Sequence, residues 1–277
     1  MTKTWLITGC SSGFGRIIGE RALERGDRVV LTARDPASLQ DIARRFPDTA
    51  RAVALDVTRP GAAQSAVAAA IGAFGSLDIL VNNAGFGFIG AIEEGDPDEY
   101  RPMYETNVFG LIETTKAALP ALRASGNGRI VNLSSIGGVA GRAGFGFYNG
   151  TKFAVEGISE ALAQEVAPFG IAVIIVEPGA FRTEFLGRSI NMAAREMEEY
   201  VATAGSARVH READHGSQPG DPEKAVAVLL KAIDAAAPPL HLLLGKDAYS
   251  RARRKFEAFA ENMADWEAQA ADTGYPA

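Results

Sequence analysis

The 277-residue chain sets 28 Lys and Arg against 34 Asp and Glu, a formal net charge of -6, with a pI near 5.3. That balance excludes the broad basic face that a nucleic-acid groove or an anionic membrane surface demands. Hydrophobic residues make up 47% of the chain, enough to bury one large core, so a single domain over 1–277 is expected.

Residues 5–8 read as a buried strand. The strand begins close to the initiator Met, is far too short to span a bilayer, and lacks the basic stretch of an export signal. Cys10 is the only cysteine; no intrachain disulfide is possible, and a cytoplasmic location is expected. The run Gly9-Cys10-Ser11-Ser12-Gly13-Phe14-Gly15 follows, then an amphipathic stretch ending at Gly26, giving strand, glycine turn and helix. Such a turn lets the backbone approach a pyrophosphate, and the open amides of the helix N-terminus supply positive potential toward it.

Residues 28–33 form a second strand, 38–45 a helix, 50–57 a third strand, 60–74 an Ala-rich helix, and 79–82 a fourth strand that runs into Asn83-Ala84-Gly85. Asp96 and Pro97 make a helix start, and that helix is expected to pass Asn107 toward Pro120. A fifth strand at 129–133 delivers Ser134 and Ser135. A helix over 148–167 and a sixth strand at 172–177 follow, then the loop Pro178-Gly179-Ala180-Phe181-Arg182-Thr183. Residues 185–220 are irregular, with one short helix expected over 192–203, and read as a lid or binding loop. Asp221-Pro222-Glu223 starts another helix, 240–244 is a last strand, and 248–271 a charged C-terminal helix whose basic cluster reads as a solvated face.

Short apolar runs alternating with helical segments specify right-handed βαβ crossovers. The expected fold is therefore a Rossmann-type, doubly wound α/β protein with about seven parallel strands and helices on both faces. Ligands in such sheets bind outside the carboxyl ends of the strands, where Gly9, Asn82, Ser135 and Glu177 all fall.

On a helix, Tyr148 and Lys152 stand at i and i+4 and share one face. An unperturbed phenol titrates near 10, so work near neutrality needs a shift of about three units, or about 4 kcal/mol. One ammonium at ~4 Å with an effective dielectric of ~20 supplies about that much. Ser134 as a hydrolase nucleophile finds no support, because His210, His215 and His241 lie far downstream and no nucleophile elbow surrounds it. No His, Cys and carboxylate cluster has metal-ligand spacing, so no metal is expected.

Taken in order, Thr8-Gly9-x-x-x-Gly13-x-Gly15, Asn82-Asn83-Ala84-Gly85, Asn107, Ser135, Tyr148-x-x-x-Lys152 and Pro178-Gly179 with Thr183 resemble a short-chain dehydrogenase/reductase of the compact, single-domain kind. The wording of the glycine turn and of 177–183 is similar to the 17β-hydroxysteroid and retinol dehydrogenase branch. The resemblance implies Tyr148 as catalytic acid and base, with Lys152 lowering its pKa and holding the nicotinamide ribose. It implies Ser135 on the same carbonyl oxygen, and Asn107 anchoring a water that links Lys152 to solvent.

For the cofactor it implies Gly9, Gly13, Phe14 and Gly15 in the turn and Ser11 or Ser12 near phosphate. Asp56 with Val57 would meet the adenine, and Asn83, Ala84 and Gly85 the adenosine side. Pro178, Gly179 and Thr183 would stand at the carboxamide end. The second strand ends Ala33-Arg34-Asp35, where Arg34 offers a guanidinium to a 2′-phosphate and the acid comes one residue late, so NADP(H) is preferred over NAD(H). Phe86, Phe88, Ile136, Phe145, Ala180, Phe181, Phe185 and Met192 are candidate walls for a small hydrophobic carbonyl or alcohol substrate. The resemblance also implies a homodimer or homotetramer pairing through 98–122 and 148–167. Two other readings stay open. One is a non-catalytic dinucleotide sensor on the same fold. The other is an epimerase or dehydratase of the extended relatives, whose different glycine turn and larger C-terminal region this chain lacks.

Overall fold

The alternation of apolar runs and amphipathic stretches resolves into strands and helices whose order is β1 (Thr4–Ile7), α1 (Gly13–Glu24), β2 (Arg28–Ala33), α2 (Gln40–Arg45), β3 (Ala50–Ala54), α3 (Ala62–Phe74), β4 (Ile79–Asn82), β5 (Gly87–Ile89), α4 (Pro97–Tyr104), α5 (Gly110–Ser125), β6 (Arg129–Leu133), α6 (Gly146–Val166), β7 (Ala172–Pro178), β8 (Ile190–Met192), α7 (Ser206–Asp214), α8 (Pro222–Asp234), β9 (His241–Leu244) and α9 (Lys246–Ala270). The computed structural model describes residues 2–275; residues 1, 276 and 277 of the expected span lie outside the described residues.

Seven strands form one parallel sheet in the order β3-β2-β1-β4-β6-β7-β9. The order reverses between β1 and β4, the switch point at which such sheets bind ligands. Successive residues of a strand face opposite sides, and the core divides accordingly. Trp5, Ile7, Val29 and Leu31 pack with Ile18 of α1 and Leu229 of α8. On the other face Leu6, Val30, Leu80 and Ile130 pack with Val67 of α3, Leu122 of α5 and Leu162 of α6. Both faces of the sheet are thus covered, and only strand ends remain for ligands.

Asp96 caps α4 by accepting from the Asp98 amide at 2.8 Å, while Glu99 accepts from the Asp96 amide at 3.2 Å. The helix expected to run from Asp96 toward Pro120 is broken by a π-helical turn at Glu105–Phe109 and then continues to Ser125. Pro120 does not end it, because buried Ala118 and Leu122 anchor that stretch to the sheet; burial outweighs one missing amide bond.

Three other expectations change. The third strand stops at Ala54 rather than residue 57, since Asp56 turns the chain by accepting from the Thr58 amide and hydroxyl at 3.0 and 2.7 Å. β8 pairs in parallel with β5 in a two-stranded patch outside the main sheet, and neither strand was anticipated. The helix expected over 192–203 is displaced: Met192 ends β8, helical turns begin at Glu198 and a regular helix only at Ser206. Its amides are claimed elsewhere, Ala193 N by the Ile89 carbonyl at 2.8 Å and Met197 N by the Glu94 carboxylate at 3.0 Å.

Candidate active site

The glycine turn leaves β1 at the switch point and enters α1. Gly9 adopts φ +70°, and a Cβ there would stand 2.9 Å from Ala84 Cα; only glycine fits both the angle and the approach. At Gly15 a Cβ would collide with Asn83 Nδ2 and lie 2.5 Å from the Gly9 carbonyl. Gly15 therefore lets the turn close and lines no cavity itself. Ser12, the N-cap of α1, makes no side-chain capping bond, and no acid stands in the first turn. The helix amides stay available to an anion.

Behind the turn, Cys10 is fully buried, its Sγ 3.2 Å from the Ile7 carbonyl, and burial pushes its thiol up to about 12. The end of β4 is latched across it. Thr8 Oγ1 accepts from the Asn83 and Ala84 amides, and Asn83 Nδ2 donates to the carbonyls of Thr8 and Gly9, all at 2.9 Å.

A cleft of about 990 Å³ opens over this turn, lined by Gly9, Ser11, Ser12, Gly13, Phe14, Arg34, Asp56, Val57, Asn83, Ala84, Gly85 and Thr183. Its volume and its glycine and amide floor fit a dinucleotide. Asp35 lines none of it; its carboxylate caps the following turn through the Ala37 amide at 2.9 Å. Arg34 is exposed at the rim and, among the described residues, pairs with no carboxylate. The bonds from Thr58 hold the Asp56 carboxyl below its ordinary value against the cost of partial burial, with Arg59 and Arg34 adding to the effect.

A second cavity, of about 430 Å³, adjoins the first along Phe14, Asn83, Gly85, Phe86, Thr183 and Phe185. It holds Ser135, Tyr148 and Lys152, with Pro178 and Gly179 at its edge. Gly137 sits between two of them: a Cβ there would be 3.4 Å from Ser135 Oγ and 3.5 Å from Tyr148 Cε1. The Ser135 hydroxyl accepts from the Gly137 amide at 3.0 Å, which leaves its own proton to donate.

Burial pushes the Tyr148 phenol up to about 12, with Ser135 opposing the shift, and brings the Lys152 ammonium down to about 8, with the charge of Glu156 opposing that one. The expected lowering of the phenol by Lys152 is absent from this geometry. The ammonium donates to the Leu133 carbonyl at 2.6 Å and stands 5.8 Å from the Tyr148 ring centroid. Buried there, the phenol keeps its proton at neutral pH.

Asn107 lies in the π turn and lines neither opening. Its side chain accepts from the Phe86 amide at 3.0 Å and donates to the Phe86 carbonyl at 2.9 Å and to Thr151 Oγ1 at 3.1 Å. It remains beside the site, since a Cβ on Gly85 would be 2.9 Å from Asn107 Oδ1 and 3.9 Å from Lys152 Nζ.

Of the expected walls, Phe86, Ile136, Phe145, Ala180, Phe181 and Phe185 line the cavity. Phe88 and Met192 do not. Phe88 faces inward from β5 against Phe147 at 5.7 Å between ring centroids, and Met192 points outward from β8. Residues that sequence reasoning missed include Leu186, Gln218, Arg142 and Arg251. The last comes from α9, whose contribution had no local signal.

Behind Lys152, Glu156 accepts from Ser134 Oγ, and Glu177 contacts His241 Nδ1 at 2.7 Å. Burial raises both carboxyls, Glu156 to about 7. The three side chains approach closely enough to ligate an ion, a grouping that sequence spacing did not reveal, and burial favours the protonated form of both carboxyls.

A doubly wound sheet with an amide-rich glycine turn at its switch point and a Ser, Tyr and Lys cavity next to it defines a nucleotide-binding oxidoreductase. The short chain dehydrogenase family matches residues 3–194, and the chain belongs to it. Oxidoreductase BOA17 of Botryotinia fuckeliana is 39% identical over 267 residues, covering 96% of this chain and 97% of its own. The crystal structure of a short-chain dehydrogenase from Streptomyces avermitilis superimposes with a TM-score of 0.93 at 42% identity, over 99% of this chain and 100% of that one. A 3-ketoacyl-(acyl-carrier-protein) reductase from Brucella melitensis, complexed with NADH, is 29% identical with a TM-score of 0.74, over 87% and 96% of the two chains. The chain is accordingly a dehydrogenase or reductase acting on CH–OH or C=O groups, with a nicotinamide cofactor.

Proposed function

We propose that this protein moves a hydride between NADP(H) and a hydrophobic ketone, aldehyde or secondary alcohol, with Tyr148 as its acid and base. The observation that carries the reading is the shared edge, since Asn83, Gly85 and Thr183 line both the dinucleotide-sized cleft and the cavity of Tyr148. In this reading Gly9, Ser11, Ser12, Gly13 and Phe14 hold the pyrophosphate with the α1 amides, and Arg34 holds the 2′-phosphate. Asp56, Val57, Asn83, Ala84 and Gly85 hold the adenosine, and Pro178, Gly179, Thr183 and Lys152 the nicotinamide riboside. Bound there, the cofactor supplies or accepts the hydride.

The protein's part is proton transfer and charge placement. With its pKa near 12, Tyr148 stores a proton at neutral pH and gives it to the carbonyl oxygen. Ser135 donates a second hydrogen bond to that oxygen as charge builds on it. Lys152, near 8, is cationic at neutral pH and, anchored on the Leu133 carbonyl, is placed for the ribose rather than for the phenol. The side chain of Asn107 is occupied by Phe86 and Thr151, so a water-anchoring role would fall to its main chain in the π turn.

Residues 185–220 serve as a lid in the same reading, with Phe185, Leu186 and Gln218 over the cavity. Arg142 and Arg251 stand at the cavity margin with Asp214 and Asp247, which balance their charge. Exposed Phe109 and Phe153 suit a homodimer or homotetramer built on the α5 and α6 side. The single cysteine and the acidic balance suit a cytoplasmic setting. No described helix is long and apolar enough to cross a membrane.

Cofactor turnover against aliphatic, aromatic, steroidal and retinoid carbonyls and alcohols tests the proposal. Tyr148→Phe should lower kcat by about 10²- to 10⁴-fold while cofactor binding persists. Cofactor binding without turnover of any substrate by the wild type would favour a sensor instead.

A further inference from the structure

Two acids are buried where the end of β7 meets α6. Glu177, the next-to-last residue of β7, is 1% exposed, and Glu156 of α6 is 7% exposed. His241 opens the edge strand β9 and pairs in register with Ile175, two residues before Glu177. Residues two apart share a face of the sheet, so His241 and Glu177 stand together on the side that α6 covers, where Val173 packs with Leu162. None of the three lines the dinucleotide cleft or the cavity of Tyr148.

A buried carboxylate ordinarily finds a cation or a full set of hydrogen bonds. Here, among the described residues, no lysine or arginine forms an ion pair with either acid. Lys152, one turn before Glu156, is committed to the Leu133 carbonyl at 2.6 Å. Glu177 Oε1 meets His241 Nδ1 at 2.7 Å, yet Oε2 of the same carboxylate is buried with no hydrogen-bond partner. Two buried acids, one carrying an orphaned oxygen, beside a half-exposed imidazole call for a positive ligand.

We propose that Glu156, Glu177 and His241 hold a divalent transition cation of the Zn²⁺ class, with water in the fourth position. Ligand atoms on a tetrahedral Zn²⁺ lie about 3.3 Å apart. His241 Nδ1 stands 2.7 Å from Glu177 Oε1 and 3.8 Å from Glu156 Oε2, and the three ligand atoms lie within 4.8 Å of one another. The outer groups are in place as well. Ser134 Oγ donates to Glu156 Oε1, which leaves Oε2 for the ion, and Glu160, one turn along α6, stands 3.8 Å from His241 Nε2. A ligating imidazole commonly carries such a carboxylate behind its other nitrogen. One imidazole with two carboxylates suits Zn²⁺ better than Mg²⁺ or Ca²⁺, which take oxygen ligands. Without the ion, burial favours the protonated carboxyls; the ion takes the place of those protons and releases them. Bound there, it clips the edge strand β9 to β7 and α6.

Titration of the chelator-treated full chain with Zn²⁺, followed by calorimetry and thermal melting, tests the proposal. One equivalent should bind and raise the melting temperature, while the same concentration of Mg²⁺ should not. His241→Ala and Glu177→Gln should each weaken Zn²⁺ binding by about 100-fold or more, whereas His210→Ala and His215→Ala, at exposed positions, should leave it unchanged. Glu177→Gln removes a buried charge, so that variant folds without the ion. In the wild type, Co²⁺ should give the visible absorption of a four-coordinate ion and be displaced by Zn²⁺, a readout that needs no variant. A wild type that Zn²⁺ does not stabilise, an equal response to Mg²⁺, a six-coordinate Co²⁺ spectrum, or Zn²⁺ binding that survives both substitutions would each overturn it. Such a failure leaves the hydride-transfer reading untouched, because none of the three ligands lines its cleft or cavity.

Discussion

Replacing Arg34 with Ala should separate the two nicotinamide cofactors. The guanidinium stands exposed at the cleft rim, makes no ion pair among the described residues, and follows directly on β2. A 2′-phosphate carries about -1.5 to -2 charges at neutral pH. One unit charge at ~4 Å is worth about 1 kcal/mol in bulk water and about 4 kcal/mol at an effective dielectric of ~20. An exposed rim lies toward the lower end, so about 1.5–3 kcal/mol is at stake, or about 10- to 100-fold. The KM for NADP(H) should rise by that factor in Arg34→Ala, while that for NAD(H) stays within about threefold. The NADP(H) advantage of the wild type should also shrink as salt is raised, because the pair is screened. The assay is initial-rate kinetics with one carbonyl substrate and each cofactor in turn. Equal losses with both cofactors, or a wild type that prefers NADH and is indifferent to Arg34, would refute the reasoning.

Three other outcomes follow from the packing. Gly15→Ala forces a methyl into Asn83 Nδ2 and the Gly9 carbonyl; it should cost about 1–3 kcal/mol of stability and weaken cofactor binding, whereas Gly157→Ala, with nothing within 4 Å, should be neutral or slightly stabilising by thermal melting. Glu94→Gln removes a carboxylate that is fully buried against Arg208 at 2.6 Å and accepts from the Ala91 amide, which should lower stability by about 3–5 kcal/mol and expose 195–215 to limited proteolysis. Burial raises Glu156 from an ordinary 4.5 to about 7, so its contribution is complete below 4.5 and is lost as pH climbs through 7. Glu156→Gln should gain on the wild type across that window by up to about 3 kcal/mol, and a pH-independent difference in melting temperature would count against the assignment.

Much of the architecture was legible because the sheet is parallel and buried on both faces. Its strands are short apolar runs that tertiary context has little room to redefine, and those at 28–33, 79–82 and 129–133 match the structure residue for residue. Where local pattern and distant partner disagreed, the reading failed. β5 and β8 are three residues each and exist only because residues a hundred positions apart meet. The π turn at Glu105–Phe109 alters helix register without altering composition. Around the site, the spacing of Tyr148 and Lys152 gave their common cavity, but their protonation could not be read from spacing. Burial and the Leu133 carbonyl decide it, and both belong to the folded chain. Arg251 reaches the cavity from the far end of the sequence, which no motif foretold.

The latch between Thr8 and Asn83 has a mechanical consequence. At the switch point β1 and β4 send their outgoing connections to opposite sides of the sheet, while the crossover helix α3 joins β3 to β4 across the face. The halves of the molecule, β1 to β3 and β4 to β9, share only three residue pairs of ladder there, against five between β2 and β3. Four side-chain bonds at 2.9 Å close the seam. The amides of Asn83 and Ala84 thus report on the closure of that seam. Their hydrogen-exchange protection reads how often this end of the seam opens, and Thr8→Val, which removes the shared acceptor, should lower it while the cores on both faces hold the halves together.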